Sequence, residues 1–367
     1  MSAVQNYEHG SGSTESPAPA GDLSVVWVTE TFHVMTSGAP APFPVKVLHG
    51  YRRDEASPDK DRQTVLAVHG LMHNALAFQP LGNELLGHPG KQTAHFYAIS
   101  LPGHGDMTSG STHGMSGFPG HRLYGEVTLE DYAEALIQVA EQIGRVDTIV
   151  AHSQGGMVVQ LAEAMLQDSG SSFRTMPQTR TRRIALLSSI TPREVSWAAA
   201  DSGVLAQILG SLDAVKSDPE KGTVLSISDA SWYALFYSYP ALANPPAPVA
   251  SGPELATTVP HLRADASSAS AFNSLGLGQE RPSIPEGLFE EFSFSNIAFQ
   301  DDAFLSTTDL NGLGNYLKPG AGHILIASQP DAPAIHCAVY TRPAAIVPHL
   351  LGDAPEKRST RPFRVAA

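Results

Sequence analysis

The sequence predicts an α/β fold built on a mostly parallel sheet. Three observations lead to this prediction. Continuous apolar runs, typical of strands buried on both faces, alternate with segments of helical periodicity. One such run, residues 146–150, leads through Gly155-Gly156 directly into a helical pattern at residues 157–166. The alternation then stops between residues 191 and 292 before strands resume. An ordered βαβ succession of this kind implies right-handed crossovers in a parallel sheet.

Length and charge limit the architecture and the partners. At 367 residues the chain exceeds what one small core needs, so we expect a large domain with an insertion, or two domains. The net charge of −13 argues against nucleic acid or an anionic membrane surface as a partner, and we expect a small-molecule substrate. The lone Cys337 excludes an intramolecular disulfide, and no apolar run reaches the roughly 18 residues of a membrane span. The sequence leaves the oligomeric state open.

The first half of the chain supplies most of the predicted sheet. Thr128 opens a helix as a capping box with Asp131, three residues on, and that helix leads into the strand at residues 146–150. The earlier elements are an antiparallel strand pair at 23–35 and 44–51, a central strand at 64–68, a helix at 77–86 and a strand at 94–100.

Ser153 is expected at the tight corner between a strand and a helix. A corner of this kind holds its central residue in a sparsely populated backbone region. Bulky neighbours would collide with the strand and the helix, which explains the small residues Ala151 and Gly155. The helix that begins there directs its free N–H groups and the positive end of its dipole to the same point. An oxyanion on a substrate carbonyl would be stabilised at that point.

The corner sequence Ala151-His-Ser-Gln-Gly155 resembles the nucleophile elbow of the α/β-hydrolase fold. A second match is His69-Gly70, which follows the central strand at residues 64–68. In this family the loop after that strand gives an N–H to the oxyanion hole. The resemblance implies backbone oxyanion donors on Leu71 and Gln154. We expect His69 to be structural and His73 to be a solvated loop histidine.

The resemblance also implies a catalytic acid just after the strand at residues 294–299. Asp302 occupies the family position of this acid, and Asp301 is interpreted as its solvated neighbour. Glu194, after the preceding strand at residues 184–190, is a third candidate.

The base is implied by a second family pattern near the C-terminus. Residues 316–323 are interpreted as the last strand and its loop. Gly322-His323, followed by Gln329-Pro330, resembles the Gly-His ending of the family, so His323 is implied to be the base. The gap from Asp302 to His323 is short for this fold, which predicts a stunted helix between them.

In this family a cap is inserted after the sixth strand, and residues 191–292 are assigned to a largely helical cap. Its clustered aromatic residues indicate an apolar wall over the active site, but for any single one of them packing of the cap on the core is the preferred interpretation. Residues 23–190 and 293–351 then form the core, closed by a helix within 333–351. Residues 1–22 and 352–367 are predicted tails. The first tail lacks an apolar signal segment, so a cytoplasmic location is the default expectation.

The predicted function is that of a serine hydrolase acting on a small to medium, largely apolar ester or lactone through an acyl-serine intermediate. Carbon–carbon bond hydrolysis and thioester hydrolysis would use the same three side chains. A cofactor-free lyase or oxygenase using only the His-Asp pair, and a receptor without turnover, are the alternatives from other classes. No cofactor is expected. His104, His113 and His121 fit no metal-binding spacing, so no metal is expected either.

Overall fold

The computed structural model describes residues 25–39, 41–53, 62–70, 73–88, 93–102, 128–189, 284–302, 307–329, 334, 336 and 338–351. Within this part of the chain eight strands form one sheet in the order β1-β2-β4-β3-β5-β6-β7-β8. The strands are β1 (Val25–Val34), β2 (Phe43–Arg52), β3 (Gln63–Val68), β4 (Thr93–Ile99), β5 (Thr148–His152), β6 (Arg183–Leu187), β7 (Ser293–Phe299) and β8 (Ile324–Ile326). The helices are α1 (Gln79–Gly87), preceded by a 3₁₀ turn (Ala75–Phe78), α2 (Leu129–Ile143), α3 (Gln154–Asp168), α4 (Thr307–Leu317), α5 (Ala338–Thr341) and α6 (Pro343–Leu351).

Only the β1–β2 and β2–β4 pairs are antiparallel, and the remaining five pairs are parallel. The predicted fold class, a mostly parallel sheet flanked by helices, is therefore confirmed. The strands β3, β5, β6 and β7 all end at one edge of the sheet. Their register aligns Val68 with Ala151, and His152 with Leu187. Residues that follow these strands meet at that carboxyl edge, where ligands bind in open α/β sheets.

The helix α2 begins with the capping box that the sequence predicts at Thr128 and Asp131. The hydroxyl of Thr128 accepts from the backbone N–H of Asp131 at 3.3 Å, and the Asp131 carboxylate accepts from the backbone N–H of Thr128 at 3.0 Å. The two bonds satisfy orphan donors at the helix start. The apolar stripe of α2 is buried against the sheet and α3.

The last strand lies later in the chain than the sequence predicts. Residues 316–323 form the end of α4 and a turn, and β8 begins only at Ile324, beside Ile297 of β7. The helix before it is not stunted, since α4 runs for 11 residues through Gly312 and Gly314. A side chain at Gly314 would overlap the carbonyl of Gly322, so this glycine lets the turn cross close to the helix.

Most of the predicted cap lies outside the described residues, as do both predicted tails. Of the cap assignment only residues 284–292 are described. They pack on the core, with Phe289 fully buried and the Tyr316 hydroxyl donating to the Ile284 carbonyl at 2.6 Å. In the described ranges we find no helix with the length and apolarity that a bilayer crossing requires.

Candidate active site

Ser153 sits at the carboxyl edge of the sheet, between β5 and α3, with φ 52° and ψ −124°. Positive φ is uncommon for a residue with a side chain, and such strain persists only where neighbours enforce it. Here the Ser153 N–H donates to the Leu187 carbonyl at 3.0 Å. Its carbonyl accepts from the Gly156 N–H at 3.0 Å and from the Ser189 hydroxyl at 3.3 Å. A side chain on Gly155 would overlap the carbonyl oxygens of Val68, which ends β3, and of His69, which explains the small residue there.

The hydroxyl of Ser153 and the carboxylate of Asp302 are joined by the ring of His336. The Nε2 of His336 lies 3.0 Å from Ser153 Oγ, and its Nδ1 lies 2.8 Å from Asp302 Oδ2. The Asp302 side chain has no exposed surface, and that of His336 is 6% exposed. Because an ionised carboxylate only accepts hydrogen bonds, Nδ1 carries the proton and the Nε2 lone pair faces the serine hydroxyl. This geometry permits transfer of the serine proton to the imidazole.

His323 does not occupy this position, so the structure does not bring the histidine that the sequence implied as the base to Ser153 and Asp302. Its Nδ1 lies 3.1 Å from Asn311 Oδ1, and its half-burial lowers its pKa. His323 immediately precedes β8, which lies three strands away from β5 in the sheet, whereas Ser153 and Asp302 follow the carboxyl ends of β5 and β7. The histidine that follows β8, His336, takes the predicted place.

Asp302 and Asp301 have separate partners. Asp302 contacts the imidazole, as the sequence predicts. Asp301 is only partly buried, accepts a short hydrogen bond from the Ser328 hydroxyl, and donates its backbone N–H to the Ala334 carbonyl at 2.8 Å. It is thus tied to the chain that leads to His336, which a merely solvated neighbour would not be. The third candidate acid, Glu194, lies outside the described residues.

The loop after β3 lies directly against Ser153. The His69 Nε2 accepts from the Leu101 N–H at 3.0 Å, so its Nδ1–H donates to the Gly70 carbonyl at 2.7 Å. The predicted structural role of His69 agrees with these bonds. A Cβ on Gly70 would lie 2.8 Å from the Ser153 Cβ, so glycine is needed for this approach.

Of the two predicted oxyanion donors, Gln154 is described and Leu71 lies outside the described residues. Gln154 is the first residue of α3, and the N–H groups of a first helical turn have no intrahelical partner. The Gln154 side chain is fully buried, and its amide has no hydrogen-bond partner within the described ranges.

Two further histidines pack beside the site, His73, which the sequence interpretation assigned to solvent, and His152, to which it assigned no role. His73 is 1% exposed rather than solvated, and its ring packs at 5.1 Å from Tyr340 and 5.9 Å from His152. His152 ends β5, is fully buried, and directs its Nε2 to the His336 carbonyl at 2.8 Å. Burial, and then the nearby His336, lower the pKa of His152 to about 3. The sequence did offer one indication of a role for His152, because this residue directly precedes Ser153.

The described part of the chain holds no group of three or more His, Cys, Asp or Glu side chains placed to bind a metal ion. The three histidines discussed above for metal spacing, His104, His113 and His121, lie outside that part.

Solved structures share this architecture at low sequence identity. The carboxylesterase CesB (YbfK) from Bacillus subtilis is 14% identical, with a TM-score of 0.50 over 89% of this chain and 91% of its own. A mutant of the N-acyl homoserine lactonase AidH, complexed with N-hexanoyl homoserine, is 15% identical, with a TM-score of 0.54 over 92% of this chain and 100% of its own. A structure described among novel epoxide hydrolases from metagenomes of hot environments is 14% identical, with a TM-score of 0.54 over 88% of this chain and 97% of its own.

Sequence comparison gives the family directly. A search of the curated proteins finds no match. The family model of the Alpha/beta hydrolase family matches residues 65–334, which is more than half of the chain and includes β3 to β8 with Ser153 and Asp302. The chain therefore belongs to the alpha/beta hydrolase family.

Proposed function

We propose that this hydrolase cleaves a carboxylic ester or lactone of a small to medium, largely apolar molecule through an acyl-serine intermediate. The observation that supports the proposal is the line of hydrogen bonds from Asp302 through His336 to Ser153, at 2.8 Å and 3.0 Å. A neutral serine hydroxyl is a poor nucleophile, and an adjacent oriented base is the usual means of activating it. The chain order serine, aspartate, histidine is also the order of this fold.

In the proposed mechanism Ser153 Oγ attacks the substrate carbonyl while His336 Nε2 takes the hydroxyl proton. The ring becomes an imidazolium, which the Asp302 carboxylate stabilises through the Nδ1–H. His336 then donates the Nε2 proton to the leaving alkoxide, which departs as an alcohol. Water attacks the acyl-serine with His336 again as the base, and releases the carboxylic acid and the free Ser153 hydroxyl.

The oxyanion of each tetrahedral intermediate needs donors on the side opposite the base. The free N–H of Gln154 at the start of α3, with the helix dipole behind it, is the proposed first donor. The loop after β3 is the proposed source of the second, at Leu71. The close packing of Gly70 on Ser153 supports this, because it brings the loop beside the nucleophile. Losing one such donor typically costs about a hundredfold to a thousandfold in turnover.

The substrate class rests on the nucleophile and on two of the similar structures. An ester and a lactone place the same acyl carbon in front of Ser153, and the structures above include a carboxylesterase and a lactonase. Epoxide hydrolases and dehalogenases of this fold use an aspartate nucleophile, and the serine at position 153 argues against both chemistries. A thioester or a carbon–carbon bond remains compatible with the three side chains.

The test is covalent labelling with a fluorophosphonate, combined with hydrolysis of p-nitrophenyl acetate and butyrate. We expect one label per chain, located on Ser153, and loss of both labelling and hydrolysis in Ser153→Ala. Ser37→Ala is the matched control, because this exposed hydroxyl bonds Glu134 at the surface. A panel of esters, lactones and thioesters then ranks the substrate classes by kcat/KM.

Other outcomes would point to other classes. Full turnover of the natural reaction by Ser153→Ala would overturn the acyl-enzyme mechanism and favour a lyase or oxygenase that uses the His336–Asp302 pair. Tight binding of ligands without turnover of any panel member would favour a receptor.

A further inference from the structure

The proposed base lies on a loop, and its backbone therefore needs to be held. His336 lies between β8 and α5, outside every strand and helix. Its ring bonds Ser153 on one side and Asp302 on the other. Both contacts depend on where the backbone at His336 is placed, since the ring has only two rotatable bonds. One contact that holds this backbone is the hydrogen bond from His152 to the His336 carbonyl, 2.8 Å long.

His152 is well suited to hold another residue. It is the last residue of β5, which lies between β3 and β6 in the centre of the sheet, and it is fully buried. Its ring packs 4.8 Å from the ring of His336 and 6.2 Å, edge to face, from Tyr340. On the opposite side, a Cβ on Gly70 would lie 3.2 Å from the His152 Nδ1. The ring is enclosed by the sheet and three other segments, so it has little freedom to move.

The hydrogen bond also determines the tautomer. A carbonyl oxygen only accepts, so Nε2 of His152 carries the hydrogen and Nδ1 carries the lone pair. Desolvation lowers the pKa of this ring to about 3, which keeps it neutral at ordinary pH. A neutral anchor suits the chemistry, because His336 becomes positively charged when it accepts the serine proton. A cationic anchor at this distance would oppose that charge.

We propose that His152 is a positioning residue whose Nε2–H holds the backbone carbonyl of His336 and so sets the distance from the His336 ring to Ser153. The inference rests on the proposed serine-hydrolase function, since it concerns the same base. Among the described residues the hydrogen-bond partner of Ser153 Oγ is His336 and that of the His336 carbonyl is His152, so the proposed action of His152 is through His336.

The test compares two substitutions that differ in one donor. In His152→Gln the side-chain amide NH₂ is at the level of the imidazole Nε2 and retains the donor, whereas His152→Met fills a similar volume without one. We expect kcat for p-nitrophenyl butyrate to fall about tenfold to a hundredfold in His152→Met, the range that misplacing a catalytic group produces. KM should stay within about twofold, and His152→Gln should recover most of kcat. The rate of fluorophosphonate labelling should follow kcat in both variants.

Three results would overturn the inference. Full kcat in a folded His152→Met would show that the donor is not needed. An equal loss in both variants would show that the ring only fills space. The wild-type protein gives an independent check by long-range ¹H–¹⁵N NMR of the imidazoles, where we expect an Nε2–H tautomer for His152 that is unchanged from pH 5 to 8. An Nδ1–H tautomer would refute the proposed bond even if both variants fail to fold.

Ser153→Ala, measured in parallel, separates this inference from the proposed function. If Ser153→Ala keeps its ester turnover, the proposed function fails. If Ser153→Ala is inactive while His152→Met is fully active, the function stands and only the positioning role fails.

Discussion

The exchange of His323 for His336 as the base gives the sharpest prediction. We expect His336→Ala to lose at least about a thousandfold in kcat, and His323→Ala to stay within about twofold. His336 bonds both Ser153 and Asp302, whereas the bonded side-chain partner of His323 is Asn311 in α4. Each variant removes one imidazole by the same His-to-Ala substitution, at a different position of the chain. Each is therefore the matched control of the other.

The size of the effect follows from the contacts. A positioned general base contributes roughly 10²- to 10⁴-fold, and removing a triad histidine elsewhere has cost about 10⁶-fold. A thousandfold loss corresponds to about 4 kcal/mol of transition-state stabilisation. His323→Ala removes one half-buried hydrogen bond, worth about 0.5–1.5 kcal/mol of folding stability, and nothing that touches Ser153.

The assay is hydrolysis of p-nitrophenyl butyrate under saturating conditions, with single-turnover measurement of the acylation rate. Added imidazole should partly restore acylation in His336→Ala, because the deletion leaves a buried space beside Ser153 Oγ. Loss of activity in His323→Ala, with a functional His336→Ala, would refute the assignment and return the base to the position that the sequence implied.

Three further predictions concern the acid, the elbow and pH. Asp302→Asn should reduce kcat by about 10³- to 10⁴-fold, because the carboxylate no longer fixes the tautomer of the imidazole. Asp301→Asn should reduce kcat by less than about tenfold. Equal losses in the two variants would leave the acid unassigned. Gly155→Ala should cost about 1–3 kcal/mol in the free energy of unfolding by urea, since its Cβ would overlap the carbonyls of Val68 and His69. Gly312→Ala, on an open helix face, should instead be neutral or stabilising by up to about 1 kcal/mol. The pKa of His152 is lowered from 6.5 to about 3 in the folded state, so between these pH values the unfolded chain binds a proton that the folded chain does not. The folded state should therefore lose stability as pH falls from 6.5 towards 3, by roughly 2 kcal/mol between pH 6.5 and 5. His152→Gln should lack that part of the pH dependence in denaturant melts, and an identical pH dependence would contradict the assigned burial.

The sheet could be predicted from the sequence because its strands carry their own signals. Continuous apolar runs marked β3, β5 and β6, and the capping box marked the start of α2. The start of α3 was misplaced, since Gly155-Gly156 suggested a break before the helix. In the structure both glycines belong to the first helical turn, where one approaches the loop after β3 and the other Ser189. A close contact with a distant segment overrides helix propensity there, and propensity alone does not reveal such a contact.

The base was misassigned because β8 is short. A strand of three residues, Ile324–Ile326, gives almost no alternation pattern, so the more regular residues 316–323 were interpreted as the strand. The Gly-His pair at the end of that stretch then matched a family pattern on the wrong side of the strand. The spacing from Asp302 to His323 does not reveal the error, because the full 11-residue helix α4 fits between these two residues. Taking Ile324–Ile326 as the strand would have made His336 the next histidine at the carboxyl edge.

Topology explains why the acid was the easier residue to assign. Asp302 follows a seven-residue strand by three positions, so the strand itself determines where its carboxylate lies. His336 follows β8 by ten residues, and a loop of that length can direct a side chain almost anywhere. The described residues of this segment are instead held by contacts that no local pattern encodes, namely Ser328 and Ala334 by Asp301 and His336 by His152. The position of the base is therefore a property of the packed sheet edge, and substitutions at these anchors should change catalysis without changing any residue that contacts substrate.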